Sequence, residues 1–267
     1  MNTVNELMNL NGRRALITGA AGALGKVMAD TLAELGAELI LIDRQESDLS
    51  SFALELAERR GGKVQFYCCD LEMQDQRRKL IEWMRNEVGG LNILINNAAF
   101  VGTSGLEGWA VPFESQTVDT WRRALEVNLT AAFELSQGLT PLLKEGVGGN
   151  IINIASIYGE YGPDWGLYEQ TNMSNPAAYG ASKGGLIQLT RWLATTVAPH
   201  VRVNTISPGG IFRNQPEIFV RRYESKTPLR RMATEEDFRG AVAYLASDLS
   251  KYVTGQNLVV DGGWGIW

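Results

Sequence analysis

The sequence predicts an α/β fold, a doubly wound parallel sheet of about seven strands with helices on both faces. Three observations lead there. Short apolar runs alternate with amphipathic helical stretches along the whole chain, the pattern left by strand–helix–strand crossovers. A glycine-rich turn, Gly19-Ala20-Ala21-Gly22-Ala23-Leu24-Gly25, joins the first apolar run to the first helical one. Residues able to do chemistry follow the apolar runs at their carboxyl ends, where open parallel sheets bind ligands: Gly19, Asp43, Asp70, Asn97, Ser156 and Pro208. Polar residues placed at random would fall at both ends of the strands.

Each element follows in order. Ala15 to Thr18 is the first strand, and the glycine turn opens a helix reaching about Gly36. Strand, glycine turn and helix make a Rossmann-type dinucleotide site, because the glycines let the backbone approach a pyrophosphate on the helix N-terminus. Glu38 to Asp43 is apolar throughout, as a strand buried on both faces requires, and ends in a carboxylate. An acid roughly 20 positions after the glycines reads the adenosine ribose hydroxyls. Asp43 would accept from them and repel a 2′-phosphate, favouring NAD, while Arg44 beside it keeps NADP open.

A helix from Ser47 to Arg60 stops at Gly61-Gly62, and a third strand runs from Lys63 to Cys69 before Asp70-Leu71. A helix from Gln74 to Val88 precedes a fourth strand, Leu91 to Ile95, ending at Asn96-Asn97-Ala98-Ala99. After a glycine-containing loop from Phe100 to about Gln116, one long helix from Thr117 to Leu139 carries Asn128. Strand five spans Asn150 to Ala155 and meets Ser156. A second long loop reaches about Asn175, and the next helix, with Pro176 suiting its first turn, carries Tyr179 and Lys183 to about Val197. Strand six is Val201 to Ser207, followed by Pro208-Gly209-Gly210 and a lid-like segment to about Met232. Thr234 to Ser247 is helical, with Glu235-Glu236-Asp237 favourable to its dipole, and Leu258 to Val260 is the last strand. No linker or repeat interrupts residues 1–267, so a single domain is expected.

Composition narrows the function. The 267 residues are 45% hydrophobic and 21% charged, with a formal net charge of −5. An acidic balance disfavours nucleic acid and anionic membranes as partners. No apolar run approaches the roughly 20 residues of a membrane span, and the polar start is no secretory signal, so a cytoplasmic protein is expected. Cys68 and Cys69 are adjacent, suiting neither a disulfide nor a metal site, and read as small apolar residues at a strand end. With His200 as the one histidine, zinc and Ser-His-Asp chemistry are both disfavoured, and no metal is expected.

The Tyr179-Gly180-Ala181-Ser182-Lys183 stretch carries the chemistry. A four-residue spacing puts both side chains on one helix face. A free phenol titrates near ~10, and a nearby ammonium favours its ionised form, bringing it toward acid–base work at neutral pH.

Thr18-Gly19 with Gly25, Asp70, Asn96-Asn97-Ala98, Asn128, Ser156, Tyr179 with Lys183, and Pro208-Gly209, in this order, resemble the short-chain dehydrogenase/reductase family over essentially the whole chain. The resemblance implies roles. Tyr179 is the general acid/base on the substrate oxygen, Lys183 bonds the nicotinamide ribose and lowers the tyrosine pKa, Ser156 holds the substrate oxygen, and Asn128 supports a water relay. Cofactor contacts fall on Gly19, Ala21, Gly22, Leu24, Gly25, Asp43, Asp70, Leu71, Asn97, Ala98, Tyr179, Lys183, Pro208, Gly209 and, at the carboxamide, the backbone around Ile211. A homotetramer is implied, with Leu258-Val259-Val260, Trp264 and Trp267 as apolar contact residues.

Departures from the family pattern carry information. Ala23 stands where the family has glycine, and Gly22 where NADP users often carry a basic residue. Ala99 replaces a glycine, and Arg213-Asn214 lie where many members place a threonine on the nicotinamide. Ser156 and Tyr179 stand 23 residues apart. That exceeds the usual family spacing by roughly ten, so a loop should bulge over the site. Its Tyr158, Glu160, Tyr161, Asp164, Trp165, Tyr168, Glu169 and Gln170 suit a polyhydroxylated ligand, or else a subunit contact. Loop and tail resemble a subgroup linked to bacterial surface-sugar and flagellin modification. The leading expectation is an NAD-dependent dehydrogenase of a sugar or polyol. The alternatives are an NADPH-dependent 3-oxoacyl-thioester reductase and a non-catalytic dinucleotide sensor.

Overall fold

In the computed structural model, which describes residues 1–100 and 106–267, seven strands form one parallel sheet. They are β1 (Arg14–Thr18), β2 (Glu38–Asp43), β3 (Val64–Cys68), β4 (Ile93–Asn96), β5 (Gly149–Ile154), β6 (Val201–Pro208) and β7 (Asn257–Val260). Their order is β3-β2-β1-β4-β5-β6-β7. The chain therefore winds outward twice from the β1/β4 pair, and that switch point opens a crevice at the strands' carboxyl ends.

Period-two alternation splits the strands between two cores. Ala15, Ile17, Leu39, Leu41, Ile152 and Ile154 face α2 (Ala23–Glu34), α3 (Leu49–Arg60) and α9 (Arg239–Ala246). Leu16, Ile40, Ile42, Leu94, Ile151 and Val203 face α4 (Gln74–Trp83), α6 (Ala131–Glu145) and α7 (Ala177–Val197). β3, at the sheet's edge, is largely uncovered, with Phe66 exposed and Cys68 exposed at its end. Cys69 just beyond is buried, and burial pushes its thiol up to about 12, which keeps it unreactive.

The expected boundaries hold to a few residues, with three differences, one of them a helix, α8 (Glu217–Lys226), inside the segment expected as a lid. A short α1 (Val4–Met8) precedes β1, capped by a Thr3–Glu6 box that the sequence carried as Thr-x-x-Glu. The long helix expected over 117–139 is α5 (Val118–Leu125), a π-helical turn over Glu126–Thr130, then α6 running on to Glu145 through Pro141. Gly138 does not end α6. It makes room for α4, since a Cβ there would lie 2.5 Å from Ile81 Cδ1.

A third cluster lies off the sheet. Leu167, Phe219, Tyr223 and Met232, with Tyr168 and Trp264, bind the 157–178 loop to α8 (Glu217–Lys226) and the C-terminal tail.

Candidate active site

A cleft of about 760 Å³ runs along the carboxyl ends of β1, β2, β4, β5 and β6. Every catalytic and cofactor-contact residue expected from the sequence lines it except Asn128, which lies buried behind it. Its first wall is the glycine turn. Gly19 has φ +64, and a Cβ there would come within 2.8 Å of Ala98 Cα. A Cβ on Gly25 would lie 2.2 Å from Gly19 O, so α2 can sit this close to the turn only with hydrogen at that position. The cap of α2 is Gly22, with no side-chain hydrogen bond, and the helix's first-turn N–H groups lack intrahelical partners. Such a terminus attracts an anion. Asn97 braces the turn from β4, its Nδ2 donating to Thr18 O at 2.9 Å and Gly19 O at 3.0 Å. Asp43 accepts from Ala21 N at 2.8 Å through one carboxylate oxygen and from Arg44 N through the other. Free backbone donors, a cradle that side chains would fill and a carboxylate at the far end fit a dinucleotide.

Asp70 and Leu71 follow β3. Behind them sits Arg77, only 1% exposed, which donates to Leu71 O at 2.5 Å, to Glu134 at 2.6 Å and to Glu126 at 2.5 Å. Arg77 thus ties the loop after β3 to the π-helical turn that holds Asn128. The sequence does not single it out, and only the tertiary fold shows it as a buried anchor. Asn128 accepts from Phe100 N at 2.5 Å and donates to Ser182 Oγ at 2.9 Å. Its side chain therefore positions the loop after β4 against α7. A ladder of buried amides and hydroxyls underlies the site: Asn96 donates to Asn153, Asn153 to Thr190, and Thr205 to Thr190.

Ser156, Tyr179 and Lys183 meet in the cleft. Lys183 Nζ, 1% exposed, donates to Ile154 O at 2.7 Å and lies 5.9 Å from the Tyr179 ring centroid. Burial lowers its ammonium to about 8. Burial also pushes the Tyr179 phenol up, while the Ser156 hydroxyl bonded to it and the positive charge of Arg213 pull the other way. In this arrangement Ser156 and Arg213 favour the phenolate, with Lys183 standing behind the ring. At the same end, Gly209 N donates to Val260 O, and Tyr223 Oη accepts from Gly210 N at 2.6 Å. Tyr223 is a site support that no local motif announces, because it reaches back from α8.

These features coincide with known proteins. A family model described as enoyl-(acyl carrier protein) reductase matches residues 19–265. A solved short-chain type dehydrogenase/reductase from Mycobacterium marinum is 33% identical, covers 99% of each chain and superimposes with a TM-score of 0.85. The chain belongs to the short-chain dehydrogenase/reductase family. As such it is an NAD(P)-dependent oxidoreductase of alcohol and carbonyl groups. Other relatives in the family differ in substrate. A 3-oxoacyl-[acyl-carrier-protein] reductase of Thermotoga maritima is 33% identical over 96% of this chain and 99% of its own. The post-translational flagellin modification protein A of Campylobacter coli is 30% identical over 96% and 100%. A gluconate 5-dehydrogenase from Burkholderia cenocepacia J2315, solved with NADP and tartrate, is 28% identical, covers 99% and 100%, and has a TM-score of 0.87.

The loop that departs from the family lies differently from expectation. No described residue of 157–178 lines the dinucleotide cleft. Tyr161 and Trp165 instead wall a second pocket of about 470 Å³ with Phe113, Pro163 and Asn175. Tyr158, which also lines that pocket, shares a 2.6 Å hydroxyl contact with Tyr168. Of the loop's three carboxylates, one of which the sequence puts toward substrate, Glu160 accepts from Asn257, and Asp164 pairs with Lys226. Glu169 meets Arg222 through its backbone oxygen. Trp264, expected at a subunit contact, stacks on Tyr223 and approaches Tyr158 edge-on, while Trp267 stays exposed.

Proposed function

We propose that the protein is an NAD-dependent dehydrogenase of a secondary hydroxyl on a sugar or polyol. The observation that carries it is the meeting of Ser156, Tyr179 and Lys183 with the glycine cradle in one cleft, whose substrate end is walled by the polar Arg213 and Gln215. The bound nicotinamide supplies the hydride acceptor. Ser156 holds the substrate oxygen, and Tyr179 takes its proton as the C–H hydride leaves, or returns it in reduction. Lys183, anchored on Ile154 O, holds the ribose side and keeps a cation behind the phenol. Asn128 fixes the loop after β4 and supports proton exchange behind Lys183. Gly19, Ala21, Gly22, Leu24 and Gly25, which line one end of the cleft, would hold the pyrophosphate, and Asp70, Leu71, Asn97, Ala98, Pro208, Gly209 and Ile211 the rest of the dinucleotide.

Asp43 supports NAD over NADP, since its carboxylate lines the cofactor end of the cleft and would repel a 2′-phosphate, and Gly22 brings no charge. Kinship with gluconate 5-dehydrogenase supports a polyhydroxylated substrate, and kinship with flagellin modification protein A suits a role on surface sugars. The second reading, a 3-oxoacyl-thioester reductase, draws on the Thermotoga relative. A screen of the purified protein with NAD and NADP against sugars, polyols, nucleotide sugars and ketoacyl thioesters decides between them. Turnover of thioesters with NADPH and of no polyol overturns the reading. We further place the chain, as one domain, in a homotetramer. Light scattering that shows only monomer at micromolar concentration contradicts that assembly.

A further inference from the structure

Arg213 has no task in the reaction as described, yet it is built into the cleft. The turn after β6 is clamped by Gln215, whose Nε2 donates to Ile211 O at 2.8 Å and whose Oε1 accepts from Arg213 N at 2.7 Å. Asn214, at φ 58, completes the tight turn in the left-handed region. Glu235 then takes Arg213 Nε at 3.0 Å. Among the described residues no hydrogen bond engages the two terminal guanidinium nitrogens.

The side chain is half exposed, with its backbone and Nε bonded and its terminal fork free, and the residue lines the cleft that holds Tyr179 and Ser156. The other cations of that cleft are committed or distant. Lys183 is bonded to Ile154 O, Arg123 is paired with Glu72 and stacked over Phe100, and Arg44 stands beside Asp43. A guanidinium fork with two parallel N–H donors matches a carboxylate in shape and charge.

We infer that Arg213 binds a carboxylate of the substrate, so that the protein's substrates are polyhydroxy acids such as aldonates, with the reacting hydroxyl at Tyr179 and the acid group on the Arg213 fork. The inference rests on the polyol reading above and narrows it. The positive charge of Arg213 acts on the Tyr179 phenol across the same cleft. A carboxylate there would in turn partly neutralise the guanidinium, so the acid substrate reads both ends of the pair.

Gluconate and sorbitol, which differ in having a carboxylate or a CH₂OH group at one end, form the test pair. Binding of each to NADH-saturated wild type, Arg213→Ala and Arg213→Lys is measured by calorimetry, with NADH affinity measured separately. Wild type should prefer gluconate. Arg213→Ala should weaken gluconate by roughly tenfold or more, the scale of a lost charge-assisted pair, collapse the gluconate/sorbitol ratio and leave NADH affinity within about threefold. Arg213→Lys should recover part of the ratio. A wild type without gluconate preference overturns the inference. So does an Arg213→Ala loss that appears equally in NADH affinity, because the fork then holds the cofactor's pyrophosphate. Parallel turnover assays with NAD separate the two levels. Oxidation of neutral polyols without carboxylate preference sinks the inference and leaves the polyol reading standing. Arg213-dependent gluconate binding without oxidation of any polyol or polyhydroxy acid sinks both.

Discussion

The cleft has two ends built by different means. The dinucleotide end rests on backbone: the Gly19 turn, the open N-terminus of α2 and the Asn97 brace all lie within a few residues of a strand's carboxyl end. The substrate end rests on side chains brought from afar. Tyr158 meets Tyr168, Tyr168 packs on Phe219, Tyr223 stacks on Trp264, and the Tyr223 hydroxyl returns to Gly210. Backbone geometry constrains which residue type can stand at a position, so the first end is written as glycines. An aromatic cluster constrains only total shape and volume, so the second end can vary while the fold stays. Variable substrates on a constant cofactor platform follow from that difference.

Tyr179→Phe is the largest test of where the two ends meet. Turnover should fall by roughly 10²–10⁴ while NADH affinity, read by fluorescence titration, is kept. Near-normal turnover would remove the hydroxyl from the chemistry. Gly25→Val attacks the backbone-built end alone. Its Cβ would collide with Gly19 O, so NADH binding should fail and stability drop by about 1–3 kcal/mol, seen as a lower midpoint in urea. A variant that binds NADH normally would show that the turn can open.

Asp30 sharpens the contrast through pH. It joins α2 to Arg59 and Arg60 of α3 and Arg239 of α9, and the Arg60 hydrogen bond, foremost among these, lowers its carboxyl from 3.8 to about 2. A depressed carboxylate stabilises the fold above its unfolded pKa and loses that contribution as pH falls through about 2. Asp30→Asn should therefore cost about 2 kcal/mol at pH 7, with the gap to wild type closing between pH 4 and about 2 in denaturant titrations. A pH-independent gap would assign the loss to packing.

The smallest effect tests the aromatic end. Tyr168→Phe leaves the buried Tyr158 hydroxyl without its 2.6 Å partner and should cost about 1–2 kcal/mol. NADH affinity should hold while the KM for substrate changes. A shift in cofactor affinity instead would mean that the two ends are mechanically coupled.

The sequence alone determined the parallel sheet and its double winding, and it pointed to Ser156, Tyr179 and Lys183. Apolar runs can be buried on both faces only in a covered parallel sheet, and the glycines and the Tyr-Lys spacing are demands of local geometry that leave a local mark. Only the tertiary structure decided what Arg77, Tyr223 and Arg213 do, because their partners lie on other elements and no spacing records them. It also decided that the 157–178 loop packs Tyr168 against α8 and the tail and leaves Tyr158, Tyr161 and Trp165 on a second pocket. Amphipathic composition is satisfied equally well by a ligand, by a partner subunit or by the rest of the chain. The choice fell to the packing of Leu167 and Tyr168 against Phe219, a contact that forms only after the sheet has brought the loop and α8 to the same edge.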